Sequence, residues 1–307
     1  MTDLAYPDAP VTPATPVPRG RRLKARNQMD TPARRAKSVL KHIVLVGAAL
    51  TMIYPLIWMV LSSFRPGELI FRQPGLVFSD FTFANYEHGW TALGFSFDTF
   101  LINSAIIVFG CVLGNVVSCS LAAYAFARLK FSGRRLLFAM MLVTIMLPIH
   151  VLIVPQYIVF SKVGLINTIW PIVLPKLLGT DAFFIFLMVQ FIRGLPRELD
   201  EAALIDGCGH FRIFFSILLP LMIPAIATTA IFTFIWTWND FFSSLIYLTK
   251  MENYTVQLAV RAFMDSAGQS NWGAMFAMSV VSLVPIFLAF LFGQRFLVRG
   301  IATTGIK

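Results

Sequence analysis

Residue types that could do chemistry are present in this chain, but mostly not at the spacings chemistry uses. His42, His88, His150 and His210 share no metal-ligand spacing, and neither HExxH nor GxSxG occurs. No GxxxxGK[ST] string is present, so the chain has no phosphate-cradling loop of its own. Cys111 and Cys119 share one apolar run and would stand about 12 Å apart along a helix axis, too far to bridge. Cys208, in a polar loop beside Gly207, reads as structural. The expectation is a chain with no catalytic group, no metal site and no cofactor.

Two sets of residues remain. The first is polar groups inside apolar runs: Gln156, Lys176, Asp181, Asn239 and Asp240. Each would be costly against lipid, so each should face a bundle interior, a cavity or water. Lys176 and Asp181 are five positions apart, about 140° around an ideal helix, and would pair only if Gly179-Thr180 breaks it. Thr180 or Asp181 would then cap the second half. Nearby Trp236, Trp238 and Tyr247 fit two roles, interfacial anchors or stacking faces for pyranose rings whose hydroxyls Asn and Asp would bond. On the second reading the candidate substrate path is Gln156, Trp236, Trp238, Asn239 and Asp240.

The second set is the loop running from Leu195 to Gly207. Pro196 suits a first helical turn, while Glu198, Asp200 and Glu201 put negative charge at its positive dipole end. Gly207 should stop this helix at a C-cap. A second helix should begin near Gly209 and run through Phe211, Phe214, Phe215 and Leu218, with Pro220 and Pro224 bending its continuation. Ala202 and Ala203 leave room for close approach, either of a partner or within one chain.

The elements that must position these residues are spans. The chain is 57% hydrophobic and 13% charged over 307 residues, which suits lipid as its solvent. Six segments are long and apolar enough to cross: 42–62, 100–126, 136–160, 168–192, 218–248 and 273–297. The first is too long, and too far from the N-terminus, to be a signal peptide. Residues 1–41, rich in Pro, Ala and Arg, read as a disordered basic tail. Cations crowd this tail, the loop after the second span (Arg128, Lys130, Arg134, Arg135), the loop after the fourth (Arg193, Arg197, Arg212) and the C-terminus. By the positive-inside rule both termini are cytoplasmic, and the net charge of +10 becomes a topology signal rather than a nucleic-acid footprint. No span-pair repeat supports an inverted-repeat carrier.

Glu201-Ala202-Ala203, three residues, Gly207, nine residues, Ile217, one residue, Leu219-Pro220 resembles the signature of the inner-membrane permease subunits of binding-protein-dependent ABC importers. Asn103-Ser104, the run Ala122-Ala123-Tyr124-Ala125-Phe126-Ala127-Arg128, Ile205-Asp206-Gly207-Cys208 and the stretch from Phe234 to Phe241 are similar to the carbohydrate, maltose-type branch. The resemblance covers about residues 40–307 and implies an all-α integral membrane protein with six transmembrane helices in the type I importer (MetI-like) fold. It implies a first helix over 42–62 and a five-helix core over 99–297, containing a cytoplasmic coupling loop at 194–217, then a cytoplasmic tail at 298–307. It further implies a multi-pass chain in the cell membrane, working with a second permease subunit, two ATPase subunits and an extracytoplasmic sugar-binding protein to move a carbohydrate by alternating access. Glu201, Ala202, Ala203, Asp206 and Gly207 would then dock the ATPase, which binds the ATP. An ion-coupled sugar carrier, a polyol or sugar-phosphate importer and a structural membrane protein remain as rivals.

Overall fold

The computed structural model describes residues 32–304 apart from 74, 77, 79 and 266–270. Most of the expected N-terminal tail and the last three residues thus lie outside the described residues. The described chain divides at Ile53 into two units. The first holds the start of helix α1 (Pro32–Ser63), so helix begins at Pro32 rather than at His42. From Val39 to Ile53 its large apolar side chains are all exposed, as a lipid-facing segment requires.

The second unit, Tyr54 onward, is also helical, with no strand among its described residues. After the end of α1 come the short α2 (Gly67–Arg72) and α3 (Ala84–Thr91), then the long α4 (Phe97–Arg128). α5 (Arg134–Ile145) and α6 (Ile149–Lys162) follow, then α7 (Trp170–Leu177) and α8 (Ala182–Arg193). The loop helix α9 (Glu198–Ile205) leads into α10 (His210–Ile213), a π-helical turn over Phe214–Leu218, and α11 (Leu219–Leu221). α12 (Ile223–Trp238), α13 (Phe241–Tyr247), α14 (Val256–Asp265) and α15 (Trp272–Thr304) complete the chain.

Helix α4 is the central rod, packing against α7, α8, α12 and α14. Its approach to α7 depends on Gly114, where a Cβ would fall 2.9 Å from the Leu177 backbone nitrogen. Bulky side chains fill the rest: Phe184, Met188, Ile192, Phe214 and Leu218 pack near the loop end of α4, and Phe97, Phe100, Phe263 and Met278 near its start. The opposite face of α4 exposes Ile102, Ile106, Phe109, Leu113 and Val117, a stripe at helical spacing. Apolar residues thus line both faces, as a helix between a core and lipid must.

By length and composition four helices among the described residues can cross a membrane, namely Lys37–Ser63, Phe97–Arg128, Trp170–Arg193 and Trp272–Arg295. A fifth is a pair bent by 75°, His210–Leu221 with Ile223–Trp238. This measure does not itself confirm the six expected spans, and the helices are consistent with them. The segment that falls short is 136–160, divided into α5 and α6 around Met146–Pro148 because Pro148 has no N–H to continue the helix. The expected fifth span also divides, at Met222 and again at Asn239-Asp240. Pro220 accounts for the π turn, since it cannot donate to Ser216 and the chain widens by one residue ahead of it.

Candidate functional site

The loop helix α9 forms for local reasons. Glu198, Asp200 and Glu201 lie in its first turn, where free N–H groups favour negative charge. Gly207 takes φ +77°, which lets the Cys208 N–H donate to Ala203 O at 2.9 Å and the Gly207 N–H to Leu204 O at 3.1 Å. Those two bonds are a Schellman motif, and they close the helix where its carbonyls would otherwise be orphaned. Glu201, Ala202, Asp206 and Gly207 are exposed. So are two large apolar side chains, Ile205 at 87% and Phe211 at 76%. Ala203 is the exception among the five expected docking residues: it is buried with Phe214 and Met188 in the chain's own core, while its neighbour Ala202, about 100° around the helix, is exposed.

The loop is fastened to the end of α4. Arg128 donates through Nη2 to the carbonyls of Leu195 at 2.9 Å and Pro196 at 3.4 Å, and its Nε stands 2.7 Å from Asp200 Oδ2. Both side chains of this ion pair are mostly buried. Burial pushes the Asp200 carboxyl above the ordinary carboxylate range even though Arg128 pulls it down. One helical turn earlier, Tyr124 donates its hydroxyl to His210 O at 3.2 Å and lies against the Phe214 ring. Two side chains of α4 therefore hold both arms of the loop.

The second group lies in the spans. Between α7 and α8 the helix breaks at Gly179, whose φ is +69°. Lys176 Nζ then reaches Asp181 Oδ2 at 2.8 Å and Oδ1 at 3.0 Å, so the break permits the pairing that an unbroken helix forbids. Asp181 stands at the N-cap position of α8, but its carboxylate makes no cap bond and turns instead to Lys176 and Asn115. Asn115 Nδ2 donates to Asp181 Oδ2 at 2.6 Å and to Thr233 Oγ1 at 3.0 Å, while Ser118 Oγ donates to Lys176 O at 2.8 Å. α4, α7, α8 and α12 thus meet in one polar network.

The five expected substrate-path residues separate. Trp238 is buried, stacked on Phe234, and donates its indole N–H to Ser282 O at 3.1 Å. Trp236 is half exposed and packs against Phe183, Phe184 and Phe232. Asn239 donates to Ile235 O at 2.8 Å, and Asp240 caps α13 by accepting from Ser243 N at 3.0 Å. Gln156 Oε1 accepts from the Tyr247 hydroxyl at 3.4 Å, with Tyr157 stacked on the same ring.

The structure adds Arg128, Asn115, Ile205 and Phe211 to the functional candidates. In the sequence Arg128 was visible as a cation marking sidedness and as the end of the Ala122–Arg128 run, not as a partner of the loop. A large apolar Ile205 within an acidic helix was the one signal for an exposed contact. Among the described residues, no three His, Cys, Asp or Glu side chains are grouped to hold a metal ion.

Residues 106–303 match the family of binding-protein-dependent transport system inner membrane components. The chain is 33% identical over 280 residues to the arabinooligosaccharides transport system permease protein AraQ of Halalkalibacterium halodurans, covering 89% of this chain and 99% of that protein. It is 32% identical over 275 residues to the trehalose/maltose transport system permease protein MalG of Thermococcus litoralis, covering 88% and 99%. Its fold matches, at TM-score 0.74 and 22% identity over 86% of this chain and 98% of the other, a chain in the crystal structure of a bacterial ABC transporter involved in the import of the acidic polysaccharide alginate.

Proposed function

The chain belongs to the binding-protein-dependent transport system inner membrane components, a family of multi-pass permease subunits, and on that premise we propose that it moves a carbohydrate across the cell membrane by alternating access. The substrate class rests on AraQ and MalG, whose names specify oligosaccharides and disaccharides. ATP is bound and hydrolysed by two partner ATPase subunits, a second permease chain completes the path, and an extracytoplasmic sugar-binding protein delivers the cargo. Both termini and the 194–217 loop face the cytoplasm. Gln156, Trp236, Trp238, Asn239 and Asp240 belong to the substrate path, with Trp238 holding its wall through Ser282.

The observation that carries the reading is the exposed α9, which presents Glu201, Ala202, Ile205 and Asp206 to a partner while Arg128 and Tyr124 tie it to the central helix. A helix this short has no stability of its own in water, so its order must come from what it packs on. Glu201 offers its carboxylate to a cation or N–H on the ATPase surface. Gly207→Val forces a β-branched residue into positive φ, where a Cβ meets nothing within 4 Å, so the penalty is backbone strain alone, about 1 to 3 kcal/mol. The complex carrying Glu201→Lys or Gly207→Val is expected to insert normally, yet to bind the ATPase weakly or to hydrolyse ATP without uptake. Normal ATPase association together with normal uptake in proteoliposomes by both variants would falsify the assignment.

A further inference from the structure

Lys176 and Asp181 perform none of the work assigned above. They form an ion pair inside a membrane-spanning segment, each side chain 24% exposed, at the point where that segment breaks. An ion pair is an expensive way to hold two helices together there, because apolar side chains of similar volume would do it at no desolvation cost. Nor is the pair saturated. An ammonium has three donors and a carboxylate about four acceptor positions. Among the described residues, Lys176 donates only to the two Asp181 oxygens, and Asp181 Oδ1 accepts only from Lys176.

The same network brings an aromatic face alongside. Thr233, held by Asn115, lies one turn before Trp236 on α12. Trp236 packs at 5.8 Å on Phe183, two residues beyond Asp181, and at 5.3 Å on Phe184, yet stays 52% exposed. A cationic donor, an anionic acceptor and an open indole thus stand together where two spans are packed.

We propose that Lys176, Asp181 and Trp236 form a binding station for an uncharged, polyhydroxylated cargo. Hydroxyl groups both donate and accept, so adjacent hydroxyls can give to Asp181 and take from Lys176 at once, while the C–H face of a pyranose covers Trp236. Because the pair is internally neutralised, it attracts no anion and favours neutral sugars over phosphorylated ones. This rests on the carbohydrate reading and names the residues that recognise the cargo.

The test uses the complete transporter, with its ATPases and binding protein, in proteoliposomes offered radiolabelled maltose, trehalose or arabinotriose. Lys176→Met and Asp181→Asn are each expected to lower the sugar moved per ATP hydrolysed by about tenfold, the loss of one hydrogen bond to a charged group, and Trp236→Ala is expected to lower it through loss of the stacking face. Asp181→Asn leaves Lys176 without its counter-ion. Millimolar sn-glycerol 3-phosphate on both faces should therefore inhibit sugar uptake by that variant, but not by the wild type or by the Lys176→Met/Asp181→Asn double variant. A double variant with the wild-type sugar-to-ATP ratio, or loss of complex assembly by every variant, overturns the station in favour of a scaffolding role. A wild-type complex that moves none of the three sugars overturns the carbohydrate reading itself, and the station with it.

Discussion

Replacing Arg128 with Met removes a guanidinium that holds three points of the loop at once: the carbonyls of Leu195 and Pro196 and the carboxylate of Asp200. The methionine fills much of the space but donates nothing. Asp200, mostly buried, is left as an uncompensated charge, and breaking a buried pair in this way costs about 3 to 5 kcal/mol. At about 1.4 kcal/mol per tenfold, local opening of the loop should rise by roughly a hundredfold or more. Hydrogen exchange of residues 194–213 in the purified complex reads that opening directly, with exchange in α15 as the internal control. The Asp200 pKa adds a second readout. Its carboxyl is already raised in the folded loop, and removing Arg128 removes a cause that lowers it. The folded loop therefore binds this proton more tightly than the unfolded one. The stability tied to it is fully present below the ordinary carboxylate pKa and is lost as pH rises through the raised one. Acidification into the carboxylate range should partly restore protection in Arg128→Met, and should do so less in Arg128→Met/Asp200→Asn. Wild-type exchange in Arg128→Met at neutral pH would refute the reasoning.

Three further outcomes follow from the same geometry. Ala203→Leu should overpack the chain's own core at a cost of about 1 to 3 kcal/mol and lower the melting temperature of the complex, while the exposed Ala202→Leu should spare stability and weaken ATPase co-purification; equal effects on both readouts would contradict their different burial. In a background lacking Cys208, Ala92→Cys should react with an impermeant thiol reagent added to intact cells and Ser132→Cys should not, and the reverse pattern would invert the topology. Gly207→Asn should retain more uptake than Gly207→Val, because Asn tolerates positive φ; indistinguishable variants would show that the turn's conformation is not what matters.

What could be read from the sequence was what depends on near neighbours. The acidic first turn of α9 and its end at Gly207, all within ten positions of one another, are both present, although the helix starts at Glu198 and leaves Pro196, expected in its first turn, just ahead of the Arg197 N-cap. The Lys176–Asp181 pairing was legible as a condition, that Gly179-Thr180 break the helix, and Gly179 does. What the sequence hid is long-range or orientational. Arg128 and Asp200 are 72 positions apart, and nothing local marks them as partners. Asp181 was a reasonable cap, but the carboxylate finds stronger partners in Lys176 and Asn115. In an apolar helix every face looks alike, so the sequence could not say that Trp238 points into the core and Trp236 out of it, or that Ala202 and Ala203 divide. The division of the third expected span was hidden similarly, since hydropathy registers Pro148 as one residue among many while the backbone registers it as a break.

A passage driven by ATP hydrolysed on other subunits should work without any ion gradient. Uptake of radiolabelled sugar into proteoliposomes holding this chain, its partner permease, the two ATPases and the binding protein, with ionophores present to collapse every ion gradient, tests this. Uptake is expected to require ATP, to persist under the ionophores and to disappear when the ATPase P-loop lysine is replaced. Uptake that follows an ion gradient and survives loss of the ATPase would contradict it.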